Sequence, residues 1–204
     1  MIDAFIYGFG TGIVLSLMLG TVFFALVQNS VDFGYKSGVF IALGVIFSDA
    51  FFITGALLGT SYLPSIPKMP FYTSLIGGGL LIFLGFLSIF KKNPKIVYPK
   101  TKFGNIIYYL TTGVLLNIIN PVNFFFWVAI AAKLKTDDYL LNEQISFFIA
   151  CLLAIFTTEF AIAFFAAKLR KLFTPQVLRS INVVSGLIFI GFGIKLLYDA
   201  FFKY

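Results

Sequence analysis

The chain of 204 residues contains no histidine and one cysteine, and only 11% of its residues are charged. Without histidine no Ser-His or Cys-His nucleophile can be assembled, and no His-containing zinc site. Cys151 lies in an apolar run and has no second thiol for an intrachain disulfide. Soluble domains carry roughly 25% charged residues. Here the missing charge is replaced by 60% hydrophobic residues, phenylalanine alone occurring 28 times. The composition is that of an integral membrane protein, with the lipid bilayer as its first partner. The net charge of +7 sits at the ends of apolar runs, where it orients spans, and no aromatic-basic surface points to nucleic acid.

Six apolar runs, about 4–28, 37–60, 71–90, 106–132, 144–167 and 178–202, stand between short polar or proline-bearing separators. Each approaches the roughly 20 helical residues needed to cross about 30 Å of hydrocarbon. They do not alternate in polarity as barrel strands would. The first run begins without a basic flank and exceeds a signal peptide's length, so it is expected to be the first span. The expected fold is an all-α membrane domain over 1–204 with six transmembrane helices. Loops after runs one, three and five hold ten Lys or Arg, among them Lys36, Lys91 and Arg179, against four on the other side. By the positive-inside rule both termini face away from the cytoplasm, and 91–105 is a basic cytoplasmic linker.

The halves resemble each other. GIVLSLMLGTVFF (12–24) aligns with GVLLNIINPVNFF (113–125), and LIFLGF (81–86) with LIFIGF (187–192). Between them IFSD (46–49) matches IFTTE (155–159) with one extra residue. Three spans per half force the second half, about 106–202, to insert upside down relative to the first, about 4–90. Inverted repeats of this kind place a solute site near the midplane where they meet.

Polar or helix-breaking residues fall near mid-span in four runs: Gly20 and Thr21, Asp49, Asn120 and Pro121, and Glu159, with Asn117 one turn before the proline. Proline removes a backbone donor and crowds the preceding turn, leaving a carbonyl near Asn117 to be satisfied by protein, water or ligand. A kink used only for packing would fit Asn120-Pro121 equally well. The glycines of Gly8-x-Gly10-x-Gly12 and Gly77-Gly78-Gly79 are expected to allow close helix contact. Lys195, with Asp199 one turn on, reads as a snorkelling structural pair. Asp49 and Glu159 differ from these, because a carboxylate at the bilayer centre is costly unless paired, hydrated or protonated. Glu159 could also stay protonated and bond to Thr157 or a neighbouring helix.

These segments resemble the LysE/RhtB family of amino-acid exporters over nearly the whole chain. The matching stretches are LGT (19–21) at the family's Pro-Gly-Pro motif, DFGYKSG (32–38), ALG (42–44), LLIFLGF (80–86) and NIINPVNFFF (117–126). SDAFFITGALLG (48–59) is similar to the second span of the basic-amino-acid branch. Both prolines of Pro-Gly-Pro are absent, which implies a weaker break in span one than the family's, permitted by Gly20 alone, and Asn-Pro-Lys has become Asn-Pro-Val, so Val122 carries no charge into that motif. The resemblance implies gradient-driven export of amino acids or similar small metabolites, with no cofactor and no enzymatic activity. Asp49 would face a substrate ammonium or guanidinium. A divalent-cation transporter, with Asp49, Glu159 and asparagine oxygens as ligands, and a non-transporting assembly protein are the rival readings. Assembly into a homo-oligomer is left open.

Overall fold

A computed structural model describes residues 1–17, 20–61, 69–90, 104–172 and 174–202. They form α1 (Ile2–Ser16), α2 (Thr21–Phe33), α3 (Tyr35–Ser61), α4 (Met69–Phe90), α5 (Ile106–Ile118), α6 (Pro121–Thr136), α7 (Leu141–Leu172) and α8 (Pro175–Phe202). No strand occurs among the described residues. The basic linker 91–105 lies outside them except for Gly104 and Asn105.

Six runs were expected as six helices, and eight helices form among the described residues. The difference lies in runs one and four, each of which breaks into two helices. α1 and α2 meet at 72°, and α5 and the Asn123–Thr136 part of α6 meet at 67°. In the second break the cause is local: Asn120 precedes a proline and is held out of the helical region, while Pro121 starts the next helix without needing a donor. In the first, Gly20 takes an extended conformation at the N-cap of α2 (φ −120°, ψ −176°). The glycine-bearing break of run one is thus as sharp as the proline-bearing break of run four.

α3 over Tyr35–Thr60, α7 over Leu141–Ala166 and α8 over Pro175–Phe202 are each long and apolar enough to cross a bilayer, and each bent pair meets the same test jointly. The described apolar part of α4, Ser74–Phe90, is shorter. Sequence sets the other boundaries. Gly34 at φ +86° closes α2 in a conformation that favours glycine, and α3 begins one residue later. The Asn105 side chain accepts from the Tyr108 amide at 2.9 Å to cap α5, and Thr174 caps α8 ahead of Pro175.

The polarity is reversed relative to a soluble domain. Phe47, Phe51, Ile76, Phe90, Phe160 and Phe202 are exposed, while Asp49, Asn117, Gln144, Glu159 and Asn182 are buried. Lipid, not water, suits the outer surface. This is a multi-pass membrane protein.

Packing follows matched positions. Glycines let α1 lie against α7 and α5 against α3. A Cβ on Gly12 would strike the Cys151 carbonyl, and one on Gly113 would strike that of Ile41. Gly8 abuts Phe147 and Asn117 reaches Val45, so both pairs run parallel. α4 and α8 close antiparallel, with Gly78 against the Gly193 carbonyl and Gly85 against that of Gly186. Of the glycines expected at helix contacts, Gly8, Gly12 and Gly78 serve that role, whereas Gly10 and Gly79 meet nothing within 4 Å.

Two hydrophobic clusters result. One contains Phe52, Ile53, Ala56, Trp127 and Cys151. The other contains Ile162, Ala163, Ala166, Leu26 and Ile41. Four α3–α7 pairs across the clusters are 110 positions apart (Ile41 and Cys151, Phe52 and Ile162, Ile53 and Ala163, Ala56 and Ala166), and Leu26 and Trp127 are 101 apart.

Candidate functional site

Between the two clusters lies a cavity of about 140 Å³, lined by Ser16, Gly20, Thr21, Val22, Asp49, Asn117, Asn120, Asn123, Trp127 and Glu159 among others. A single buried water needs roughly 10–15 Å³ on this measure, so the space suits a small solute rather than one water. Six of the seven residues expected from sequence meet here. The seventh, Pro121, opens α6, and its ring lies outside the described side chains.

Both helix breaks face this cavity. α1 and α5 end beside it, and α2 and α6 start beside it, so two helix N-termini with their positive dipole ends point inward. α2 has no side-chain cap, because Gly20 carries no acceptor. Its first amide groups therefore lack the partner that Ser, Thr, Asp or Asn would have supplied. A small anionic group on a solute could take that place.

Asp49, 3% exposed on α3, is the best-supported acid in the molecule. Its Oδ1 accepts three N–H donors: Asn123 Nδ2 at 2.6 Å, Asn117 Nδ2 at 2.8 Å and Trp127 Nε1 at 3.0 Å. The donors brace one another. Asn123 also donates to Asn117 Oδ1 at 3.1 Å, and Asn117 to Ser48 Oγ at 2.7 Å. The asparagines of the span-four break are thereby explained: they hold a carboxylate. Hydrogen bonds to a charged acceptor are worth about 1.5–3 kcal/mol each, so three offset much of the desolvation of an ion.

Glu159, 7% exposed on α7, faces the same cavity with the opposite provision. Its Oε2 is buried and has no hydrogen-bond partner among the described residues. Thr157 does not supply one, since its hydroxyl donates to the carbonyls of Leu153 and Ala154. Lys195 and Asp199 form no ion pair either: Lys195 is exposed, and the described ion pairs are Met1–Glu143 and Lys133–Asp137.

Sequence reasoning did not assign Ser48, Asn123 or Trp127 to the site. A signal was present for two of them. Asn123 and Trp127, the chain's one tryptophan, are four apart on α6 and so share a helix face beside the break.

No curated protein and no solved structure matches the chain. The family profile of LysE type translocators matches residues 13–200. That span runs from the middle of α1 almost to the end of α8 and takes in both breaks and every described residue of the cavity. The chain belongs to the LysE type translocator family.

Proposed function

We propose that the protein is a secondary transporter that exports amino acids or similar small metabolites across the cytoplasmic membrane, coupled to the proton or ion gradient. The observation that carries this reading is the cavity in which two interrupted helices and two carboxylates converge. An amino acid offers an ammonium to Asp49 or Glu159 and a carboxylate to the uncapped start of α2. Half-helix ends serve this purpose in other transporter folds.

The reading extends to architecture. The halves 4–90 and 106–202 form one membrane unit of six spans related as inverted repeats. Support comes from contacts that recur at fixed offsets: Gly12 on Cys151 against Gly113 on Ile41, and one hydrophobic cluster mirroring the other. Under the same offsets Asp49 is the counterpart of Glu159. The ten-to-four bias of Lys and Arg supports an orientation with both termini outside the cytoplasm, in the cytoplasmic (inner) membrane. A reporter active only in the cytoplasm, fused after Tyr204, should stay silent; strong signal reverses the orientation.

The divalent-cation reading is weaker. Among the described residues no group of three or more acids, cysteines or histidines gathers. Asp49 Oδ1 also faces N–H donors, which a metal ligand's lone pairs would have to give up. The test is a flux assay in vesicles reconstituted with purified protein, using a panel of cationic and neutral amino acids and Mn²⁺. Movement of at least one amino acid under a pH gradient is expected. Flux of Mn²⁺ alone selects the rival, and flux of nothing supports the assembly-protein reading.

A further inference from the structure

We infer that the two carboxylates of the cavity have divided roles, Asp49 remaining the fixed anion and Glu159 being the group that binds and releases the coupling proton. This rests on the transporter reading and deepens it. The ground is a position-by-position comparison across the halves. Asp49 draws its donors from Asn117, Asn123 and Trp127. The positions 101 earlier in the chain are Ser16, Val22 and Leu26.

Ser16 and Val22 line the same cavity as Glu159, and Leu26 is buried in the neighbouring cluster. Each substitution removes a donor. Valine and leucine have none, and the Ser16 hydroxyl donates backwards to the Ile13 carbonyl at 2.9 Å. The bare Oε2 of Glu159 is thus built into the second copy of the scaffold.

A buried carboxylate oxygen that lacks a donor is unfavourable when ionised, and a proton removes the cost. Among the described residues no cation lines the cavity to compete for it. α3 presents Asp49 to the cavity, and the other lining helices present no titratable side chain there. On α7 itself Cys151 lies two turns away with its thiol donating to the Gly8 carbonyl at 3.0 Å. Asp49 lines the same cavity as Glu159, and two negative charges sharing one buried space repel each other. A solute ammonium entering between them offers Glu159 an alternative to its proton. Exchange of one for the other links solute movement to proton movement.

The test needs no knowledge of the solute. Dicyclohexylcarbodiimide takes the proton of a carboxylic acid onto a nitrogen while the carboxylate adds to its central carbon, so the protonated acid is what reacts. The full chain in detergent micelles is treated across a pH series, and adducts are located by peptide mass. Expected is adduct at Glu159 that declines as pH rises, at least about tenfold above Asp49, since one charge-assisted hydrogen bond already shifts a protonation equilibrium by about that factor. Comparable adduct at Asp49, adduct at neither, or a Glu159 adduct indifferent to pH overturns the inference. A second measurement uses vesicles with lysine and alanine as solutes. Whatever flux E159Q retains should no longer respond to a pH gradient, and a preserved response overturns the inference. If the wild type moves neither solute, that counts against the transporter reading alone, and carbodiimide labelling decides proton exchange by itself.

Discussion

The α3–α5–α6 side and the α7–α1–α2 side of the cavity share a scaffold and differ in what they offer a carboxylate. On each side a broken helix pair lies against a long helix through a glycine, Gly113 on Ile41 and Gly12 on Cys151. Each long helix carries its acid eight residues further on, Asp49 and Glu159. One acid receives three N–H donors on a single oxygen, and the other has a buried oxygen with none. Under the inverted-repeat proposal, backbone geometry was kept while side-chain chemistry diverged. On the proposed division of roles, that divergence decides which acid remains charged, because only Asp49 keeps hydrogen-bond donors when ionised.

The sharpest break in the comparison is removal of the anion from the furnished side. Asp49→Asn keeps the shape and an acceptor oxygen for the three donors, so the protein should insert and purify normally. It loses the charge that holds a cationic group. A charge-assisted contact of about 1.5–3 kcal/mol corresponds to roughly a ten- to hundredfold fall in flux of a cationic amino acid. Vesicle efflux at matched protein level measures it, and wild-type flux would reduce Asp49 to a structural residue.

A second experiment asks whether the shared scaffold is equally strict on both sides. Gly12→Leu and Gly113→Leu each push a side chain into a facing backbone carbonyl, while Gly10→Leu enters open space. Overpacking of this kind costs about 1–3 kcal/mol. Thermal unfolding in detergent should show similar losses for the first two and little change for the third. A loss confined to one of the pair would argue against equivalent packing in the two halves.

A gentler change sharpens the difference by reducing it. Ser16→Asn supplies on the Glu159 side the amide that Asn117 supplies to Asp49. The introduced amide should give Glu159 a donor, lowering its carbodiimide reactivity and shifting the pH dependence of transport towards acid. Reactivity equal to wild type would mean that the 101-residue offset does not carry the side-chain geometry across.

Much of this was legible from residue order. The membrane class, the boundaries of the long helices and the mid-span location of Gly20, Asn120, Asp49 and Glu159 follow from hydropathy and from proline and glycine chemistry. The internal matches even give the offsets at which contacts recur. Two things did not follow. That glycine would bend span one as sharply as proline bends span four depends on what surrounds Gly20, which has open space where a Cβ would stand. The donors to Asp49 come from two helices, α5 and α6, more than sixty residues away, and a pattern of spans does not give the rotation of each helix about its axis. Trp127 looked like one more large apolar residue in an aromatic run, yet its indole N–H is directed at a carboxylate.

The smallest effect is expected at Lys195, and it tests whether a charge inside a span must belong to the site. Sequence pairs it with Asp199 one turn later, but no ion pair forms and the side chain is exposed on α8. α8 contributes Phe189 to the cavity, nearly two turns before Lys195. With a long apolar stem and an ammonium free to reach the interface, Lys195 can sit at a helix end facing lipid without a partner. Lys195→Met keeps the stem and removes the charge. Flux and its pH dependence should stay close to wild type, and stability should move by no more than about 0.5 kcal/mol, as for surface substitutions generally. A large loss of flux at unchanged stability would mean that the positive charge acts on the cavity from outside it, and that the balance between Asp49 and Glu159 is set by more than their own donors.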